Sequence, residues 1–100
     1  MEANFEKKDN RLDICVKGRL DTLTSKDLME GVDSNMDETV KDVNIDCSGL
    51  EYISSSGLRI FMTLYKKTAP KGGKVTLTKL TPQVCEVLNI TGMATLFNIE

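Results

Sequence analysis

The order in which two hydrophobic periodicities alternate along the chain is the strongest constraint on its fold. In some segments every second residue is apolar, as in a strand with one buried face. In others the apolar residues recur every three or four positions, as on one face of a helix. The order of the predicted elements is β β α β α β α β. The predicted strands lie around Phe5 and over residues 11–17, 43–47, 74–79 and 96–99.

Three helices are predicted from their apolar stripes and their end signals. The first opens at Thr24, the predicted N-cap, with Asp27 placed as in a capping box. The second covers residues 55–68 and has the widest apolar stripe, which predicts that it is largely buried. The third opens at Thr81-Pro82, where Thr caps and Pro takes the first helical position, and it ends at Gly92.

Strands that alternate with helices require crossover connections, so they predict a mostly parallel or mixed sheet. The strands alternate in polarity instead of being solidly apolar, which indicates that only one face of the sheet is covered. The chain is therefore predicted to be an α/β protein with one domain over residues 1–100. That domain is expected to contain a mixed four- to five-stranded sheet with helices mainly on one face.

The composition argues against several classes of function. The chain has no histidine, which removes Ser-His and Cys-His catalysis and most zinc sites. Lysine and arginine total 13 and aspartate and glutamate total 15, without a basic block, so direct nucleic-acid binding is not expected. Neither a nucleophile elbow nor a phosphate-binding loop is present. We therefore expect a protein that is not an enzyme and needs no cofactor.

The cysteines and the hydropathy of the chain indicate the cellular compartment in which the protein is expected. Cys15, Cys47 and Cys85 match no metal-ligand spacing and are interpreted as small buried thiols in a reducing compartment. No apolar run approaches the ~20 residues of a membrane helix. The first residues lack the features of a signal peptide. A cytoplasmic protein without a membrane partner is expected.

Three consecutive serines, Ser54, Ser55 and Ser56, follow a predicted loop over residues 48–52 and open the second helix. The first four N–H groups of a helix have no partner within it, and the helix dipole adds partial positive charge there. A serine oxygen can cap such an end, and a phosphate at this position would find donors. Gly57 would allow another group to approach the backbone closely.

Residues 45–58 read Ile-Asp-Cys-Ser-Gly-Leu-Glu-Tyr-Ile-Ser-Ser-Ser-Gly-Leu. This stretch resembles the signature of the STAS family, which includes the anti-sigma factor antagonists. That signature is an apolar strand ending in Asp or Asn, a loop, an apolar pair, then Asp-Ser-Ser-Gly and Leu. Residues 18–21, Gly-Arg-Leu-Asp, resemble the family's Gly-x-Leu-Asp motif, predicted just after the second strand. The order of elements fits the family along nearly the whole chain.

The resemblance implies a protein that regulates transcription by partner switching. Family antagonists bind an anti-sigma factor that is also a serine kinase, and so release a sigma factor. The kinase phosphorylates the antagonist and a serine phosphatase restores it. Carried over to this chain, the phosphorylated residue is Ser55. The partner-binding residues would be Asp21, Ser54, Ser56 and Gly57.

One departure from the family pattern leaves alternatives open. Ser54 stands where the family has Asp, so it can cap the helix but brings no charge, and it competes with Ser55 as the phosphate acceptor. The alternative function is a phosphorylation-independent STAS interaction or ligand-sensing module in a signalling complex. Asp21, Asp46 and Glu51 could in principle cluster as carboxylate ligands of a metal, but exposed loop acids are the favoured interpretation.

Overall fold

The computed structural model describes residues 1–100 and contains one five-stranded sheet and three α-helices. The strand order is β1-β2-β3-β4-β5; β1 and β2 form an antiparallel hairpin, and the other neighbours are parallel. The predicted order of elements and the mixed sheet are confirmed. The elements are β1 (Glu2–Lys8), β2 (Arg11–Leu20), α1 (Thr22–Asn35), β3 (Asp42–Ile53), α2 (Ser55–Thr68), β4 (Val75–Thr78), α3 (Pro82–Thr91) and β5 (Asn98–Ile99), with 3₁₀ turns at Ala69–Lys71 and Met93–Leu96.

The sheet is covered on one face. From β2 to β5 each crossover moves to the next strand in the same direction, and right-handed crossovers of that kind put every helix on the same side. The strand pattern agrees, because Ile14 and Ile45 are buried while Asp13 and Asp46 are only half-buried. The structure therefore has its helices on one face of the sheet, as predicted, and the opposite face is partly exposed to solvent.

Two strands are longer than the sequence pattern predicts. The predicted loop over residues 48–52 is wrong, because β3 continues to Ile53. The Gly-x-Leu-Asp motif likewise does not follow β2, since the strand ends only at Leu20. Leu20 pairs with Ile53, and the pairing shifts register twice on the way, once beside Gly18, whose φ is +88°. β2 and β3 keep each other extended by pairing along these segments, although both segments contain glycine, which is common in turns.

The predicted start of α1 is also wrong. The helix begins at Thr22 and its N-cap is Asp21, not Thr24. The backbone N–H of Thr24 donates to the Asp21 carboxylate at 2.9 Å, and the Thr24 hydroxyl accepts from the Asp21 backbone N–H at 2.9 Å. This reciprocal capping box starts the helix one turn earlier than the apolar stripe indicates.

The core lies between the sheet and the helices. The central helix α2 is largely buried as predicted, and its Phe61 stacks edge-on against Phe97 with the ring centroids 6.2 Å apart. Of the three cysteines only Cys47 is buried; Cys15 and Cys85 are half-buried, so the prediction of three buried thiols holds for one of them.

Candidate functional site

Two strand-to-helix junctions meet at the carboxyl ends of β2 and β3. The backbone N–H of Ser54 donates to the carbonyl oxygen of Leu20 at 2.8 Å. Asp21 follows Leu20 directly, and Ser55 follows Ser54. The fold therefore brings together the two sequence motifs, which are more than thirty residues apart along the chain.

Ser54 is the N-cap of α2. Its backbone is extended, with φ −91° and ψ 173°, and its hydroxyl oxygen accepts from the backbone N–H of Gly57 at 3.3 Å. Its carbonyl oxygen accepts from the N–H of Leu58 at 3.0 Å. Ser54 is half-buried. The predicted capping role is confirmed, and its hydroxyl is committed to that role.

Ser55 is the first residue of α2 and is exposed. Its hydroxyl takes part in no hydrogen bond, because Ser54 already caps the helix. The first turn of α2 contains no acidic residue, so the positive end of the helix dipole is uncompensated there. Ser56, the next residue, is half-buried. Among the three serines, Ser55 has the accessible and uncommitted hydroxyl.

Gly57 is buried and holds α2 against the ends of two strands. A Cβ at this position would lie 2.8 Å from Cγ and Cδ2 of Leu20 and 2.9 Å from Cγ1 of Ile53. The groups that come close to its backbone therefore belong to the chain's own core. Gly57 contributes to the site by allowing the N-terminus of α2 to sit directly on Leu20 and Ile53, at the ends of β2 and β3.

Asp21 carries a stabilised negative charge at the junction that is hydrogen-bonded to the serine segment through Leu20 and Ser54. Hydrogen bonds from the backbone N–H and the hydroxyl of Thr24 hold the pKa of this carboxyl below its usual value, and the charge of Arg19 acts in the same direction. Arg19 itself lies over the ring of Tyr52, with its guanidinium carbon 4.3 Å from the centroid. Asp21 is thus a helix cap as well as a neighbour of the serines.

Beside Ser55, a shallow groove of about 270 Å³ lies between the first half of α2 and the turn after α3. It contains a single charged side chain, Arg59, which the sequence analysis did not identify. Met93, from the turn after α3, reaches the same groove, and nothing in the local sequence signals that contact. The lining residues are Ser55, Leu58, Arg59, Met62 and Met93.

Three other features lie outside this site. The structure brings no three carboxylate or thiol groups together as metal ligands; the carboxylate of Asp46 instead accepts from the N–H of Ser48 at 2.9 Å. Burial raises the pKa of the Cys47 thiol to about 12, so Cys47 behaves as a core residue. A larger depression of about 530 Å³ lies on the open face of the sheet, around Asp13, Cys15 and Asn44.

The fold and the site define an α/β domain with an exposed serine at the start of its central helix. The STAS domain family model matches residues 2–100, and the chain belongs to that family. No helix in the structure has the length and apolar character needed to cross a lipid bilayer.

Similar proteins include anti-sigma factor antagonists. The chain is 28% identical over 102 residues to the anti-sigma-B factor antagonist of Bacillus subtilis, covering 100% of this chain and 93% of that protein. It is 29% identical over 99 residues to BtrV of Bordetella bronchiseptica, a candidate anti-sigma factor antagonist, covering 99% of this chain and 85% of that protein. The fold matches the unphosphorylated anti-sigma factor antagonist SpoIIAA with a TM-score of 0.85 at 16% identity, over 99% of this chain and 88% of that one.

Proposed function

We propose that this protein is an anti-sigma factor antagonist that docks on a kinase-type anti-sigma factor and is switched off by phosphorylation of Ser55. The observation that carries the proposal is the exposed, uncommitted hydroxyl of Ser55 beside Asp21, at a helix end that Ser54 already caps. The similarity to anti-sigma factor antagonists supports the same role. By sequestering the anti-sigma factor, the protein would release a sigma factor and so regulate transcription.

The chemistry belongs to the partners. The anti-sigma factor kinase would transfer the γ-phosphoryl group of ATP to the Ser55 oxygen. A new P–O bond forms, the bond to ADP breaks, and the hydroxyl proton passes to a base of the kinase. A serine phosphatase would reverse the modification by directing water at the phosphorus atom. The chain supplies the acceptor hydroxyl and the docking surface and has no catalytic role.

The geometry supports Ser55 over Ser54 as the acceptor. Phosphoryl transfer to Ser54 would require its hydroxyl oxygen to leave the N–H of Gly57, so the cap of α2 would have to open for the reaction. A phosphate on Ser55 would leave that cap in place and would lie against the positive end of the helix dipole. Modification at Ser55 is therefore compatible with an intact fold.

The switch acts on affinity. Phosphorylation adds about −1.5 to −2 charge at pH 7 and three acceptor oxygens. On Ser55 this charge would lie close to the carboxylate of Asp21, within the surface that docks. Like-charge repulsion and the desolvation of the dianion would then both oppose docking. The proposed docking surface comprises Asp21, Ser54, Ser55 and Ser56, with Gly57 setting their positions.

The acceptor residue is tested by phosphopeptide mass spectrometry on the protein from its own cells, beside a Ser55→Ala variant. We expect a single phosphate on Ser55 that is absent from the variant. A phosphate on Ser54 would keep the mechanism and move its site. No phosphate under any growth condition would contradict the switch and favour the phosphorylation-independent module, for which the depression on the open sheet face offers a place for a ligand.

The effect on docking is tested by calorimetric titration of the cognate anti-sigma factor with protein carrying phosphoserine installed at position 55 during translation. We expect the Kd to rise about 30-fold or more, because an unpaired charge at an interface costs about 2 kcal/mol or more. The control is phosphoserine at position 34. Ser34 is exposed and lies twelve residues, about 18 Å along the helix axis, beyond Thr22 at the start of α1. Equal binding by the Ser55-phosphorylated and unmodified proteins would refute the proposal.

A further inference from the structure

Arg59 is an uncommitted cation one helical turn from Ser55. It is exposed, and its guanidinium takes part in no salt bridge and no side-chain hydrogen bond. Ser55 and Arg59 are four residues apart on α2, so their side chains project from the same face of the helix. Both line the groove that also contains Met62 and Met93.

Arg19 and Lys66 are less well placed to meet a group on Ser55. Arg19 is engaged with the ring of Tyr52, and Lys66 lies eleven residues beyond Ser55, about 16 Å along the helix axis. No acid competes from within the groove, because none of its lining residues carries a carboxylate. The nearby carboxylate of Asp21 is engaged with Thr24.

We infer that Arg59 receives the phosphate on Ser55, forming an intrahelical ion pair across the groove. The inference rests on the proposed function, because it concerns the phosphorylated form of the same serine. An acid placed four residues before a base is the favourable orientation on a helix. The planar guanidinium can hold two phosphate oxygens at once, which a lysine ammonium at this position cannot do with the same geometry.

The pair gives the switch a second component. In the unmodified protein the guanidinium of Arg59 projects freely beside the serines and is available to a docking partner. In the phosphorylated protein it is held by the phosphate above Leu58 and Met62. Phosphorylation therefore adds negative charge to the docking surface and at the same time withdraws a positive charge from it.

The test is a ³¹P NMR titration of protein with phosphoserine installed at position 55, so that no natural kinase is needed. It compares the unsubstituted chain with Arg59→Gln, Arg59→Lys and the control Lys66→Gln. The second pKa of the phosphate, ordinarily about 6, should be about 0.2 to 0.4 of a pH unit lower with Arg59 than with Gln. Arg59→Lys should give an intermediate value and Lys66→Gln no change.

An Arg59→Gln titration that matches the unsubstituted chain, or an equal shift in Lys66→Gln, would overturn the inference. Because Arg59 is exposed, the unphosphorylated Arg59→Gln protein should melt at the unchanged temperature, which separates loss of the pair from loss of the fold. Failure of this inference and failure of the proposed function give different results. Absence of phosphate from the protein in cells would refute the switch but would not change the phosphate pKa measured in this titration. Equal phosphate pKa values with Arg59 and with Gln would refute the ion pair but would not change the effect of phosphorylation on the Kd for the anti-sigma factor.

Discussion

Replacing Gly57 by Ala should destabilise the protein even though alanine is the better helix former. The new Cβ would lie 2.8 Å from two atoms of Leu20 and 2.9 Å from Cγ1 of Ile53. Carbon atoms in contact are normally about 3.5–4.0 Å apart, so these groups must move by more than half an ångström. Leu20 is fully buried and Ile53 is 4% exposed, so neither has open space into which to move.

The magnitude follows from two opposing effects. Adding a methyl group to a well-packed core costs about 1–3 kcal/mol. Replacing glycine by alanine inside a helix returns up to about 1 kcal/mol. We therefore expect Gly57→Ala to lower the free energy of unfolding by about 1 kcal/mol, which corresponds to a fall in Tm of about 4–8 °C for a domain of this size.

The assay is a double-mutant cycle of Gly57→Ala with Leu20→Ala, in which the free energy of unfolding of each protein is measured in urea. Leu20→Ala alone should cost about 2–5 kcal/mol, because it opens a cavity in the core. It also removes the two atoms that the new methyl group would meet at 2.8 Å. In that background Gly57→Ala should cost less than in the otherwise unsubstituted chain, because only the contact with Ile53 remains. Gly57→Ala that stabilises the otherwise unsubstituted chain, or acts equally in both backgrounds, would refute the argument from packing.

Two further predictions concern titratable groups. Because the folded-state pKa of Asp21 is lowered, its contribution to stability is complete above its ordinary pKa of 3.8 and is lost as the pH falls through the lowered value. Urea unfolding between pH 2 and pH 6 should therefore show a shallower acid decline for Asp21→Asn, and parallel curves would contradict this. Burial raises the pKa of Cys47 to about 12. Iodoacetamide at pH 8 should therefore modify Cys15 and Cys85 in the folded protein and should modify Cys47 only after urea is added. Peptide mass spectrometry identifies the modified residues. Early modification of Cys47 would show that this part of the core opens readily.

Local patterns in the sequence determined much of this protein. Period-two alternation located β2 and β3, and helical stripes located the three helices, because each pattern reports which side of an element is buried. The bounds of α2 at Ser55–Thr68 agree with the prediction, since Ser54 caps its start and Pro70 and Gly72 follow its end. The Ser-Ser-Gly-Leu motif at residues 55–58 was also readable without a structure.

Only the tertiary structure decided how these parts act together. β3 extends to Ile53 because β2 lies beside it, and a single sequence does not show the partner of a strand. The bond from Ser54 to Leu20 joins the two motifs, and packing against Leu20 explains why position 57 is glycine. The position of Arg59 in a groove completed by Met93 likewise depends on distances between elements. Such distances are set by the packing of the whole chain, and no local pattern records them.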